Sequence, residues 1–222
     1  MNACFVAGTD TGVGKTLASA ALLHAWRRAG RTAVGMKPVA AGAVHTDGGW
    51  QNEDALSLRA VSSVAVPPEL DNPVLLREPL SPHLAARHEG VEIDIGEIAR
   101  RFGLLAQRAD AVVVEGAGGF LVPLGEHATG ADLARALRLP VVLVVGMRLG
   151  CLNHALLSAQ AIRGAGLPLA GWIANRIDPQ MAAVDENIAY LQQRLEAPLL
   201  AEIAHGQTDP AAIAVELPLS RG

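Results

Sequence analysis

The stretch Gly8-Thr9-Asp10-Thr11-Gly12-Val13-Gly14-Lys15-Thr16 combines residue types and a spacing suited to holding phosphate. It follows a short apolar run, Cys4–Ala7, and opens a helix-like segment. A strand feeding a glycine-rich turn aims successive backbone N–H groups at a polyphosphate. The lysine reaches the β- and γ-phosphates, and the hydroxyl after it ligates Mg²⁺. The strict pattern places glycine at position 9, where this chain has Thr9, yet the Gly-Lys-Thr core stands. The expected ligand is a nucleoside triphosphate with Mg²⁺.

Further groups stand where apolar runs end. Lys37 precedes Pro38, which biases it to an extended conformation and ends a strand there. It reads either as a second fixed cation beside Lys15, facing the phosphates, or as a solvated lysine at a strand terminus. Glu115 closes Ala111-Val112-Val113-Val114-Glu115 and is followed by Gly116-Ala117-Gly118-Gly119. A carboxylate there, beside a phosphate loop, suits Mg²⁺ directly or through water, and the glycines let the backbone approach a ligand. Asp54 joins that metal or serves as a helix N-terminal acid. Asn175 ends another run, where its amide reads a base edge or makes a turn. Gly150-Cys151-Leu152-Asn153-His154 marks a helix N-terminus suited to an anion.

These groups need a scaffold that gathers strand ends. Apolar runs at Cys4–Ala7, Ala33–Lys37, Ala111–Glu115, Val141–Gly146, Ala170–Asn175 and Leu199–Ile203 alternate with helical stretches at 16–29, 53–61, 94–108, 130–138, 151–165 and 181–195. Near-continuous apolar strands belong to a parallel sheet covered on both faces. The expected fold is therefore α/β, doubly wound and mostly parallel, with ligands at the carboxyl ends of the strands. Segments 38–50 and 62–82 read as loops at the sheet edge. At 222 residues, half of them hydrophobic, the chain fits one domain over 1–222. A net charge of -4 and 3% aromatic residues disfavour a nucleic-acid surface. The longest apolar run, Val141–Val145, is far short of a membrane span and no signal-type segment opens the chain, so a cytoplasmic protein is expected. Cys4 and Cys151 form neither a disulfide framework nor a zinc spacing.

The loop Gly8–Thr16, Lys37-Pro38-Val39, Ser81-Pro82-His83, Glu115-Gly116-Ala117-Gly118-Gly119, Val145–Ala155 and Gly171-Trp172-Ile173-Ala174-Asn175 together resemble the dethiobiotin synthetase family of phosphate-loop NTPases. The resemblance spans residues 4 to 203 in the family's order. It implies that 7,8-diaminononanoate, CO₂ and ATP give dethiobiotin, ADP and phosphate with Mg²⁺, in a homodimer whose substrate site lies near the subunit interface. It assigns Lys15 and Lys37 to the carbamate and the transferring phosphoryl group, and Thr16, Asp54 and Glu115 to Mg²⁺. Gly12, Val13, Gly14, Lys15, Thr16, Glu115, Gly116, Ala117 and Gly118 would hold the phosphates, and Asn175 the adenine. Thr11 would meet the diamine end of the substrate; Gly150 and Asn153 would receive its carboxylate across the dimer.

Three positions depart from that pattern. Ala41 stands where the family usually has a substrate-touching serine or threonine, Ala204 follows Glu202-Ile203 in place of a proline, and Arg176 follows Asn175 where an acid can occur. The first affects substrate affinity, the other two base selectivity. The alternative is a dimeric switch ATPase of the partitioning and septum-site type. Those proteins carry a lysine four or five residues before the loop lysine, where this chain has Asp10-Thr11.

Overall fold

The computed structural model describes residues 2–217. Met1 and 218–222, included in the single-domain expectation, lie outside the described residues. In chain order the elements are β1 (Asn2–Gly8), α1 (Lys15–Arg28), β2 (Ala33–Met36), β3 (Val39–Ala40), β4 (Val44–Thr46), β5 (Gly49–Gln51), α2 (Glu53–Val61), α3 (Pro68–Asp71) and β6 (Val74–Leu75). They continue with α4 (Pro82–Glu89), α5 (Ile95–Ala106), β7 (Ala111–Gly119), α6 (Gly130–Leu137), β8 (Val141–Gly146), α7 (Cys151–Gly164), β9 (Leu169–Asn175), α8 (Val184–Arg194) and β10 (Leu199–Ile203).

The six apolar runs assemble into one parallel sheet in the order β10-β9-β8-β1-β7-β2. Successive residues of a strand point to opposite faces, and both faces here are apolar. Cys4 and Val6 of β1 pack with Leu22, Leu23 and Trp26 of α1 and Leu58 of α2. Phe5 and Ala7 face the other layer, where α4 to α8 contribute Ala85, Ile98, Leu133, Ile162 and Leu191. The expected α/β architecture, with helices on both sides, is thus the observed one.

From β1 the chain crosses to β2 and β7 on one side, and only then reaches β8 on the other. That reversal opens the crevice at the carboxyl ends of β1, β7 and β8, the place where such sheets bind ligands. The outer edge of β2 is closed by the end of α2. The Gly35 N–H donates to Ser62 Oγ at 3.0 Å and the Ala33 N–H to Ser63 Oγ at 2.8 Å, leaving little backbone for another chain to pair with.

Two sequence expectations require correction. Segments 38–50 and 62–82 are not plain loops. The first contains β3 and the antiparallel hairpin β4–β5, the second contains α3 and β6, and Pro82 is already the first residue of α4. The two-residue strands β3 and β6 pair in parallel through Val39–Val74 and Ala40–Leu75, carrying the chain beyond Lys37 away from the main sheet. Neither strand is long enough to show a periodicity. In addition, β2 ends at Met36, one residue before Lys37, whereas β7 runs past Glu115 to Gly119 with a register irregularity opposite Val6–Gly8.

Candidate functional site

Between β1 and α1 the loop turns back on itself through left-handed glycines, Gly12 at φ 74° and Gly14 at φ 86°. Gly14 is required for space as well, since a Cβ there would lie 2.2 Å from Asn175 Nδ2. That amide donates to the Val13 carbonyl at 2.9 Å. Asn175 therefore ties the end of β9 to the loop, and its second N–H and its Oδ1 are what remain for a base edge. Thr11 donates its N–H to Asp10 Oδ1 at 2.7 Å, and its side chain lies beside Gly118. Loop residue and β7 glycines are thereby neighbours.

Thr16, in the first turn of α1, is the meeting point of three elements. Its Oγ1 lies 2.8 Å from Asp54 Oδ1 on α2 and 3.0 Å from Glu115 Oε1 on β7, and the single hydroxyl proton serves one carboxylate at a time. Lys37 Nζ completes the cluster, donating at 2.6 Å to Glu115 Oε1 and at 2.8 Å to Asp54 Oδ2. Glu115 is fully buried, and its Oε2 has no protein partner. A buried carboxylate with an unused oxygen, a second acid and a hydroxyl within 3 Å of both fit Mg²⁺ held jointly with phosphate and water, because that ion takes few protein ligands. Among the described residues no group of three or more His, Cys, Asp or Glu assembles a site made of protein ligands alone.

The charges shape one another. Burial favours a neutral Lys37, but Glu115 and Asp54 outweigh it and hold the ammonium above its ordinary range. Asp54 shows the converse: burial would raise its carboxyl, yet Lys37, helped by Thr16 and Lys15, keeps it below the usual carboxylate value. Lys15 is pulled down, first by burial and then by the charge of Lys37, with Glu115 and Asp54 opposing. Its Nζ donates to the Asp10 carbonyl at 3.2 Å. Two cations and two carboxylates are thus gathered beside the loop, and the cations are held largely buried.

Supports for this cluster escaped the sequence reading. Asn52 caps α2, accepting from the Asp54 and Ala55 N–H groups at 3.0 and 3.3 Å, and donates to the Ala41 carbonyl at 3.2 Å. An asparagine ahead of Glu53-Asp54 at a helix start was a legible signal. The Lys37 N–H donates to the Asp71 carbonyl, and the Lys37 carbonyl accepts from Asn72 Nδ2, both at 2.7 Å. Asp10 pairs with Arg148 from the turn after β8.

Gly116, Ala117 and Gly118 line a small crevice with Pro38, Val39 and Val122. Ala41 packs against the core without a side-chain hydroxyl to offer. Gly150, at φ 93°, begins α7, and both it and Asn153 are exposed. Arg176 turns to Glu202 and Asp185, which hold its guanidinium in an ion-pair network. His205 Nδ1 sits 3.1 Å from the Arg176 carbonyl. Cys4 and Cys151 are buried free thiols.

Known proteins are similar to this chain. The AAA domain family matches residues 2–208. The ATP-dependent dethiobiotin synthetase BioD of Aromatoleum aromaticum is 58% identical over 220 residues, covering 98% of this chain and 97% of that protein. Among solved structures, the septum site-determining protein MinD of Pyrococcus horikoshii, complexed with Mg-ADP, aligns with a TM-score of 0.55 at 18% identity, over 94% of this chain and 82% of that one. The signal recognition particle 54 kDa protein of Aeropyrum pernix, in complex with GDP, gives 0.57 at 20% identity over 98% of this chain, which spans 44% of its length. At such identities the last two show the fold alone.

Proposed function

The chain belongs to the AAA domain family and, within it, to the dethiobiotin synthetases, and from that membership we propose how its residues divide the work. It is an ATP-dependent ligase that closes a cyclic urea: 7,8-diaminononanoate, CO₂ and ATP give dethiobiotin, ADP and phosphate. One substrate amine adds to CO₂ and loses a proton to form a carbamate. A carbamate oxygen attacks the γ-phosphorus as the bond to ADP breaks, giving a carbamic–phosphoric anhydride. The second amine then attacks the carbamoyl carbon, and phosphate leaves.

The observation that carries the assignment of roles is the convergence of Lys37, Thr16, Asp54 and Glu115 beside Lys15. Loop residues Gly12 to Thr16 and Glu115 to Gly118 hold the phosphates through backbone N–H groups and Lys15. Lys37 is placed to stabilise negative charge on both the carbamate and the transferring phosphoryl group, as Lys15 does from the loop side. Thr16, Asp54 and Glu115 would hold Mg²⁺, which when bound would neutralise phosphate charge. Asn175 positions the loop and offers its remaining amide atoms to adenine. Thr11 meets the diamine end, while Gly150 and Asn153, exposed in the protomer, receive the carboxylate of substrate bound to the partner in a homodimer. Residues 1–222 act as one ATP-binding unit. Among the described residues no helix is long and apolar enough to cross a membrane, and the proposed place of work is the cytoplasm.

The test is phosphate release from Mg²⁺-ATP with and without 7,8-diaminononanoate and bicarbonate, with mass spectrometry for the cyclic urea. Diamine-dependent release with dethiobiotin formed is the expected result. Hydrolysis indifferent to diamine would instead favour the switch ATPase, whose fold this chain shares.

A further inference from the structure

We propose that Asn72 is a positioning residue for Lys37, acting through the lysine's main chain. The inference rests on the role given to Lys37 above. Lys37 lies one residue past the end of β2 and just before Pro38, so the main sheet does not hold its peptide groups. They are held by the turn that ends α3, where Asp71 is the last helical residue and Asn72 the cap. The Asp71 carbonyl accepts the Lys37 N–H, and Asn72 Nδ2 donates to the Lys37 carbonyl, each at 2.7 Å.

That turn is itself immobilised. Asp71, 3% exposed, takes two bonds from the Arg59 guanidinium, Nε to Oδ2 at 2.8 Å and Nη2 to Oδ1 at 2.6 Å. A paired guanidinium and carboxylate fix orientation as well as distance. Arg59 belongs to α2, and the first turn of α2 carries Asp54, which accepts from Lys37 Nζ at 2.8 Å. The chain of contacts thus closes on a single residue. It holds Lys37 at the main chain through Asp71 and Asn72 and at the ammonium through Asp54, with Arg59 linking the two grips. Water could satisfy the Lys37 carbonyl equally well as a hydrogen-bond donor, but water is not anchored to α3. What Asn72 adds is location. A cation aimed at a phosphoryl group is sensitive to displacement, since a shift of about 1 Å can cost up to about a hundredfold in rate.

The experiment uses the full chain and two substitutions. Asn72→Ala removes the side chain, and Asn72→Asp keeps its shape but lacks the N–H donor. Turnover is measured as diamine-dependent phosphate release, and Mg·ADP affinity and stoichiometry by calorimetry. Both variants should lose about tenfold in kcat per nucleotide-binding site, the scale seen for residues that orient a site from behind, while the Mg·ADP Kd stays within about twofold. On a Lys37→Ala background, Asn72→Ala should cost less than about twofold more, because the two act as one unit. Unchanged kcat in both variants would overturn the proposal. So would loss of nucleotide affinity in parallel with turnover, or an undiminished loss on the Lys37→Ala background. If the wild-type chain forms no dethiobiotin under these conditions, the functional reading fails, a result distinct from a wild type that turns over and an Asn72 variant that matches it.

Discussion

Lys37 owes its charge to company. A buried ammonium is unfavourable alone, and Glu115 at 2.6 Å and Asp54 at 2.8 Å make it the stable form. Lys37→Ala should therefore leave Mg·ADP binding largely in place, because the loop and Lys15 remain. It should cut turnover by about two powers of ten or more, the order expected when a transition-state charge is lost. Titration calorimetry beside steady-state kinetics checks this, and unchanged turnover would remove Lys37 from the chemistry. Asp54 sets a pH dependence. Its carboxyl is held below the ordinary value of 3.8, so its contribution to stability is complete above that value and disappears as pH falls through the lower, folded one. Asp54→Asn should flatten the acid side of the stability profile, seen as a smaller fall in thermal midpoint than wild type between about pH 5 and about pH 2 without divalent cation. Position 41 carries alanine where the resemblance implies a substrate-touching hydroxyl. Ala41→Ser should lower the diamine KM modestly, by the about 0.5–1.5 kcal/mol of one neutral hydrogen bond. An unchanged or higher KM would mean that the site meets the substrate by other groups.

The elements that position these residues were legible in the sequence to very different degrees. All six strands of the main sheet and the helices α1, α2, α5, α6, α7 and α8 stand within a few residues of their sequence-predicted places, since long apolar runs and helical periodicity leave a strong pattern. The four residues of α3 and the two each of β3 and β6 leave none, and they are held by tertiary bonds that no local pattern announces. The same division runs through the site. Thr16, Lys37 and Glu115 were readable because each adjoins a patterned stretch: Thr16 opens a helix, and Lys37 and Glu115 directly follow apolar runs. The Asn175–Val13 bond joins residues 162 apart, and the Asn72–Lys37 bond follows a segment without periodicity. Asn52 lies between these cases: its cap was readable, its bond to the Ala41 carbonyl was not. Because it anchors both α2 and the residue-41 segment, Asn52→Ala should destabilise the protein by about 1–2 kcal/mol in urea unfolding, the cost of a lost cap and an unpaired carbonyl. It should also raise the Mg²⁺ concentration needed for half-maximal turnover, since Asp54 sits in the turn that Asn52 caps. A stability loss without the Mg²⁺ effect would show that the cap serves folding alone.

For the whole molecule, the proposed homodimer raises the question of how two protomers would complete one site. The protomer gathers the groups proposed for phosphate, metal and phosphoryl transfer at one end of its sheet, whereas the residues proposed for the substrate carboxylate, Gly150 and Asn153, are exposed at the start of α7. Next to Gly150 in the chain, Leu149 is 95% exposed, and Leu157 on the same helix is 56% exposed. Single exposed leucines are ordinary, but an almost fully exposed one adjoining residues proposed to act across a dimer is where that proposal puts the partner. A two-fold interface uses the same patch twice, so a single charge introduced there is introduced on both sides. Leu149→Asp should shift the sedimentation profile from dimer towards monomer. Because the proposal takes the carboxylate contacts from the partner and the phosphate loop from the same protomer, the diamine KM should rise by about tenfold or more, the loss of at least one charge-assisted hydrogen bond, with Mg·ADP affinity unchanged. A variant that stays dimeric with wild-type KM would place the interface elsewhere. A monomer that keeps its diamine KM would show instead that each protomer binds its substrate unaided, and Gly150 and Asn153 would lose the role given to them.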